Sequence, residues 1–253
     1  MSQMEISGRV ALVTGASSGL GARFARVLAA AGARVALAAR RVNRLEALGE
    51  ELAAEGVETI SLELDVANVA SIRAVAAEVE ARLGPIGILV NNAGISRQAR
   101  AEDVTEEDYD AVLDTNLKGA FFMAQVVARQ MIAHHIDGRI VNIASVAGIR
   151  PQGQLSTYSM SKAAMVQMTK SMSREWGRHG INTNAICPGY IATEISEDFL
   201  ETDGGRKLVA SLPRRRMGEP RDLDGLLLLL CAGDASRFIN GSIITADDGF
   251  TSL

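Results

Sequence analysis

The chain has 253 residues, with 26 Lys and Arg against 30 Asp and Glu for a formal net charge of −4, and 47% of it is hydrophobic. Such a length buries a sizeable core, which excludes disorder as the main state. The acidic balance, with no long block of Lys and Arg, excludes the electrostatic footprint of a nucleic-acid binder.

Short β-branched runs alternate with stretches at helical spacing from end to end. The strand candidates are Val10 to Thr14, Val35 to Ala38, Ile60 to Leu64, Ile88 to Asn91, Ile140 to Ile143, Asn182 to Ile186 and Ile243 to Ala246. Between them the spacing predicts helices over Gly19 to Ala31, Arg44 to Glu55, Ser71 to Leu83, Thr105 to His134, Ser156 to His179 and Arg221 to Cys231. Strand followed by helix, repeated, predicts an α/β fold: a doubly wound parallel sheet of about seven strands with helices on both faces. Val10-Ala11-Leu12-Val13 and Ile140-Val141-Asn142-Ile143 lack polar alternation, as a sheet covered on both faces requires. No Pro/Gly/Ser-rich linker interrupts the order, so residues 1–253 read as one domain. The stretch from Pro188 to Pro220 has no strand signal and reads either as a substrate lid, around 190–215, or as a solvated insertion.

The longest apolar run, Leu226 to Ala232, is far shorter than the roughly 20 residues that span a bilayer. The opening Met1-Ser2-Gln3-Met4-Glu5 lacks the basic-then-apolar pattern of a secretory signal. A soluble cytoplasmic protein with no membrane partner is the expectation. Cys187 and Cys231 lie in apolar surroundings without a Cys-x-x-Cys spacing, so they read as buried apolar residues and no metal site is expected.

Directly after the first strand candidate comes Thr14-Gly15-Ala16-Ser17-Ser18-Gly19-Leu20-Gly21, which opens a helix. A helix N-terminus presents unpaired backbone N–H groups, and glycines let a pyrophosphate approach them, although a tight strand-to-helix turn needs glycines as well. At the end of the second strand, Ala38-Ala39-Arg40-Arg41 carries no acid to bind a ribose 2′-hydroxyl. Arg40 and Arg41 either pair with a 2′-phosphate, which favours NADP over NAD, or are solvated surface charges.

Tyr158 and Lys162 stand four apart on one helix face. An ammonium beside a phenol favours the phenolate and lowers its pKa from about 10, giving an acid or base usable near neutrality. Ser145 follows the strand Ile140 to Ile143 at its carboxyl end, where open α/β sheets place ligands, and Asn91-Asn92-Ala93-Gly94 ends an earlier strand in the same way. Each also has a plain structural reading, Tyr158 with Lys162 as a surface pair, Ser145 as a cap and the asparagines as turn residues.

Taken together, Thr14-Gly15-x-x-x-Gly19-x-Gly21, Asn91-Asn92-Ala93-Gly94, Ser145, Tyr158-x-x-x-Lys162 and Pro188-Gly189 resemble the short-chain dehydrogenase/reductase family in order and spacing, from about Gly8 to Gly249. The resemblance implies a single Rossmann-type domain, reversible hydride transfer between a nicotinamide and an alcohol or carbonyl carbon, and a homotetramer. It implies Tyr158 as general acid/base, Lys162 as the group that lowers its pKa and binds the nicotinamide ribose, and Ser145 as the substrate-orienting hydroxyl. Asn116 then matches the family's asparagine that holds a proton-relaying water. For the cofactor it implies contacts from Gly15, Ser17, Ser18, Gly19, Leu20, Arg40, Arg41, Asp65, Val66, Asn92, Ala93 and Gly94. Tyr158, Lys162, Pro188, Gly189, Ile191 and Thr193 complete that set. Leu20 replaces the usual Ile, Ser17 and Ser18 stand where NADP-preferring members often carry a basic residue, and Ala246-Asp247-Asp248-Gly249 replaces Val-Asp-Gly-Gly.

The leading expectation is an NADP-linked oxidoreductase, with NAD possible, acting on a small secondary alcohol or ketone. A 3-oxoacyl thioester reductase is the alternative within the family, with Arg214-Arg215-Arg216 either attracting a phosphate-bearing carrier or simply solvated. A non-catalytic NAD(P)-binding regulatory protein is the alternative outside it. The pocket is expected between Ile95-Ser96-Arg97-Gln98, Ile149-Arg150-Pro151-Gln152-Gly153 and Ile195 to Leu200. Phe121, Phe122, Met123, Met165 and Met168 are candidates for burial against a second subunit.

Overall fold

The computed structural model describes residues 6–192 and 202–252. Among these, the strands are β1 (Val10–Thr14), β2 (Arg34–Ala39), β3 (Thr59–Glu63), β4 (Ile86–Asn91), β5 (Arg139–Ile143), β6 (Asn182–Pro188) and β7 (Ile243–Ala246). They form one sheet in the order β3-β2-β1-β4-β5-β6-β7, parallel at every pairing. The chain runs outward from β1 to β3, then returns to β4 on the other side of β1. That reversal leaves a crevice beyond the carboxyl ends of β1 and β4, where such sheets take ligands.

The alternation of side chains along each strand divides the core in two. Val10 and Leu12 pack with α3 (Val69–Leu83) and with two later helices, α5 (Ala120–Ala133) and α6 (Ser156–Trp176). Ala11 and Val13 pack on the other face with α1 (Gly19–Ala30), α2 (Val42–Ala54) and α8 (Asp224–Cys231). Every residue of β1, β4, β5 and β6 is buried, which is why β1 and the middle of β4 are apolar without alternation; the buried amides of Asn182 and Asn184 in β6 donate to the Ser236 and Ile239 carbonyls.

The expected helix from Thr105 to His134 is three pieces. Thr105 caps α4 (Glu106–Leu113) by accepting the Asp108 N–H at 3.1 Å, and a π-helical turn, Asp114–Gly119, separates it from α5. At the end of that wide turn Gly119 meets the loop after β3 so closely that a Cβ would lie 2.6 Å from the Val66 carbonyl oxygen. The stretch without strand signal contains α7 (Asp203–Ser211), begun by Thr202, whose hydroxyl accepts the Gly205 N–H at 3.1 Å. Its two glycines, Gly204 and Gly205, hide it from a reading based on helical spacing. Among the described residues no helix is long and apolar enough to cross a membrane. Cys187 and Cys231 are buried free thiols, as expected.

Candidate active site

The glycine turn occupies the β1 side of the crevice. Gly15 has φ of 68°, and a Cβ there would lie 2.9 Å from Ala93 Cα, so the turn and the loop after β4 close on each other only because the side chain is missing. Thr14 holds them together: its hydroxyl accepts the N–H groups of Asn92 at 3.0 Å and Ala93 at 3.1 Å, while the Asn92 amide donates to the Thr14 carbonyl at 3.0 Å. Sequence reasoning kept Thr14 in the motif without assigning it a role. The available signal was a lone hydroxyl ending an apolar strand.

Helix α1 starts at Ser18, whose side chain makes no capping bond, and the first turn of the helix carries no acid. The uncapped, positive end of the helix therefore faces the crevice, which fits a pyrophosphate. The Ser17 and Ser18 hydroxyls accept instead from Arg41 Nη2, at 3.0 Å and 2.6 Å. A basic side chain thus does reach the glycine turn, supplied from the end of the second strand. Arg40 is exposed as the first residue past β2. Asp65, two residues past β3, accepts the Ala67 N–H at 3.0 Å and is exposed, whereas Val66 is buried.

The reactive candidates converge at the carboxyl ends of β4, β5 and β6. Ser145 begins a tight turn, Val146–Gly148, and its hydroxyl accepts the Ala147 N–H at 3.1 Å. The same hydroxyl hydrogen-bonds the Tyr158 phenol. It is therefore both the cap that its surroundings suggested and a partner of the tyrosine. Lys162 is 3% exposed, with its ammonium 5.7 Å above the Tyr158 ring and donating to the Ile143 carbonyl at 2.7 Å. Burial pulls the lysine down to about 8. Burial also pushes the Tyr158 phenol above its ordinary range, and the Ser145 bond pulls it partly back. The expected lowering by Lys162 is thus not what this geometry gives, because desolvation outweighs it and the ammonium is committed to a carbonyl.

Asn116 is buried in the π-helical turn and joins three segments. Its amide donates to the Ile95 carbonyl at 2.9 Å and to Ser161 at 3.0 Å, and accepts the Ile95 N–H at 2.8 Å. Asn116 Oδ1 and Lys162 Nζ both approach the bare face of Gly94, at 3.2 and 3.5 Å from where a Cβ would stand. Asn91 lies deeper, where its amide donates to Asn142 at 2.9 Å and to the Ala120 carbonyl at 3.1 Å, while Asn142 donates to Thr169 on α6 at 2.9 Å. This buried ladder, absent from the sequence reading, ties α6 and the start of α5 to the sheet.

Pro188 ends β6, the Gly189 N–H donates to the Ala246 carbonyl at 2.9 Å, and Ile191 bridges to Gly218. Thr193 and the expected lid residues Ile195 to Leu200 lie outside the described residues. Of the basic run, Arg214 pairs with Asp248 at 3.0 Å and Arg216 with Asp222 at 3.0 Å. Met123, Met165 and Met168 are buried in this protomer's own core, which corrects their expected place at a subunit contact; Phe121 remains 40% exposed. Among the described residues no cluster of His, Cys, Asp and Glu could hold a metal ion.

A family model described as short chain dehydrogenase matches residues 9–204. Gluconate 5-dehydrogenase of Gluconobacter oxydans (strain 621H) is 38% identical over 247 residues, 97% of this chain and 96% of that protein. D-threitol dehydrogenase of Mycolicibacterium smegmatis is 37% identical over 97% of this chain and 94% of its own length. A solved gluconate 5-dehydrogenase from Burkholderia cenocepacia J2315, in complex with NADP and tartrate, superposes with a TM-score of 0.94 at 37% identity, covering 99% of this chain and 98% of that one. With its motifs assembled at the switch point of the sheet and one family matched along most of its length, the chain belongs to the short-chain dehydrogenase family.

Proposed function

We propose that the protein is an NADP-preferring dehydrogenase that interconverts a secondary alcohol and a ketone, with a polyol or sugar acid as substrate. The observation that carries this reading is the convergence of Ser145, Tyr158 and Lys162 beside the uncapped N-terminus of α1. The relatives named for gluconate and D-threitol support the substrate class, and the neighbour holding NADP supports the cofactor.

In this reading the first turn of α1 and the loop Asn92-Ala93-Gly94 hold the cofactor's phosphates and ribose, and Arg41 with Arg40 reads the 2′-phosphate. A nicotinamide held there would supply, or accept, the hydride exchanged with the substrate's alcohol or carbonyl carbon. Tyr158 gives its phenolic proton to the carbonyl oxygen in reduction and takes it from the hydroxyl in oxidation. Ser145 hydrogen-bonds the same oxygen and fixes its position relative to the phenol. Because burial lifts the phenol, formation of the phenolate draws on the Ser145 bond. Asn116 keeps the loop after Gly94 in place through both Ile95 backbone groups, as a positioning residue. Segment 190–215 is the substrate lid, anchored at its start by the Ile191–Gly218 bridge.

The relatives named for gluconate and D-threitol favour a small polyol over a phosphate-bearing carrier as substrate. A cytoplasmic location accompanies this reading, where free thiols such as Cys187 and Cys231 persist. So does a homotetramer. The deciding experiment titrates NADPH and NADH into wild type, Tyr158→Phe and Arg41→Ala, then assays gluconate and polyols with each cofactor. Tyr158→Phe is expected to bind NADPH normally with turnover down by about 10²-fold or more. Arg41→Ala is expected to lose about tenfold in NADPH affinity with NADH unchanged. Full turnover by Tyr158→Phe removes the catalytic assignment, and equal loss of both cofactors removes the phosphate-reading role of Arg41.

A further inference from the structure

The loop between Ser145 and Tyr158 contains a residue in a conformation that its side chain resists. Gln154, four positions before Tyr158, has φ of 63°, and a non-glycine residue stays in the left-handed region only where its surroundings over-determine it. Here they do: the Gln154 carbonyl accepts the Ala99 N–H at 3.0 Å, and Ala99 forms an isolated parallel bridge with Leu155. This bridge joins the loop that leaves β4 through Gly94 to the loop that enters α6 just before Tyr158. It therefore links the two segments that flank the reacting groups.

On the bridge, the Gln98 amide N–H donates to Gln154 Oε1 at 3.5 Å, the outer limit of a hydrogen bond, and both residues are exposed. Among the described residues neither side-chain amide has another partner, so the Gln98 carbonyl oxygen stays available as an acceptor and the Gln154 amino group as a donor. An acceptor beside a donor is the complement of two neighbouring hydroxyls, each of which both donates and accepts. A contact this long is easily exchanged for bonds to such a pair.

We propose that Gln98 and Gln154 form a diol-recognition element that selects substrates with a second hydroxyl beside the reacting carbon over isolated secondary alcohols. The inference rests on the dehydrogenase reading above and narrows its substrate class. It also gives the strained backbone at Gln154 a use, since in that conformation the Gln154 carbonyl holds Ala99 and its side-chain amide stands beside Gln98.

The test compares kcat/KM for trans-cyclohexane-1,2-diol with that for cyclohexanol, using NADP, in wild type, Gln98→Ala, Gln154→Gly and Gln154→Asn. Glycine relieves the positive φ while removing the amide, and asparagine keeps an amide and tolerates the left-handed region, so neither change at 154 threatens the fold. Wild type is expected to prefer the diol. Gln98→Ala and Gln154→Gly are expected to cut that preference about tenfold, the worth of roughly one hydrogen bond, with Gln154→Asn keeping part of it and NADPH affinity unchanged throughout. Equal wild-type efficiency on both alcohols, or equal losses on both in the variants, overturns the diol element and leaves the dehydrogenase reading standing. Wild type that binds NADPH but turns over neither alcohol, nor gluconate, nor any other polyol or ketone tried, overturns the dehydrogenase reading and this inference with it.

Discussion

Lys162 carries its ammonium into a nearly dry position, 3% exposed and held by the Ile143 carbonyl, and burial pulls its pKa from 10.5 to about 8. Between those two values the unfolded chain binds more protons than the folded one. Stability therefore rises with pH across that window, and below pH 8 the folded state bears the whole cost of the buried charge, on the order of 3 kcal/mol. Lys162→Met has no such charge to bury. Urea unfolding of both proteins at pH 7 and pH 10 is expected to show wild type gaining roughly 2–3 kcal/mol on the variant as the pH rises; parallel behaviour of the two would remove the buried-charge account. The position of this lysine beside Tyr158 was legible in the sequence, because residues four apart share a helix face. The direction of the tyrosine's shift was not. Spacing tells which groups are neighbours, whereas desolvation depends on what the rest of the chain lays over them, and here it reverses the sign that the pair alone implies.

The turn that carries Ser145 rests directly on the helix that carries Tyr158 and Lys162. A Cβ on Gly148 would lie 2.7 Å from the Lys162 carbonyl carbon and 2.8 Å from the Ala163 nitrogen, and backbone atoms of a buried helix have nowhere to retreat. Gly148→Ala is therefore expected to lift the turn off α6 and separate the two hydroxyls. The expected cost is about 2 kcal/mol in stability and about tenfold or more in kcat, with a smaller change in NADPH affinity. Thermal melts and steady-state kinetics check this, and a wild-type kcat in a folded variant would show that the contact does not set the geometry. Strand positions were readable to within a residue or two, since runs such as Val10-Ala11-Leu12-Val13 are buried on both faces and admit no other element. The π-helical turn at Asp114–Gly119 was not, because helical spacing continues through it. It is shaped by distant partners, the Ile95 backbone taken by Asn116 and the Val66 carbonyl met by Gly119. Helix α7 escaped for the opposite reason, its glycine pair suppressing a local signal that Thr202 restores by capping.

Both faces of the sheet are covered by the protomer's own helices, yet α5 and α6 have apolar residues left over once Met123, Met165 and Met168 have gone to the core. The surplus lines an open groove of about 860 Å³ between the π-helical turn, α5 and α6, with Leu117, Phe121, Phe122 and Trp176 on its walls beside the core residues Met168 and Met172. Charges of both signs, Asp114, Lys118, Arg129 and Glu175, line the same groove. In the homotetramer proposed above, a second copy of the same face brought in by a two-fold rotation would set apolar residues opposite apolar residues, with acids and bases able to pair across the axis. Such a contact would be the first of the two that a homotetramer of two-fold symmetry needs. It also bears on catalysis, because the groove is walled by α6, the helix that carries Tyr158 and Lys162 at its other end. Phe121→Asp introduces a charge on each side of such an axis and is expected to lower the mass measured by light scattering at micromolar protein from tetramer to dimer, with the circular dichroism spectrum retained. Monomeric wild type, or a Phe121→Asp protein of unchanged mass, would mean that this face is not where copies of the chain meet.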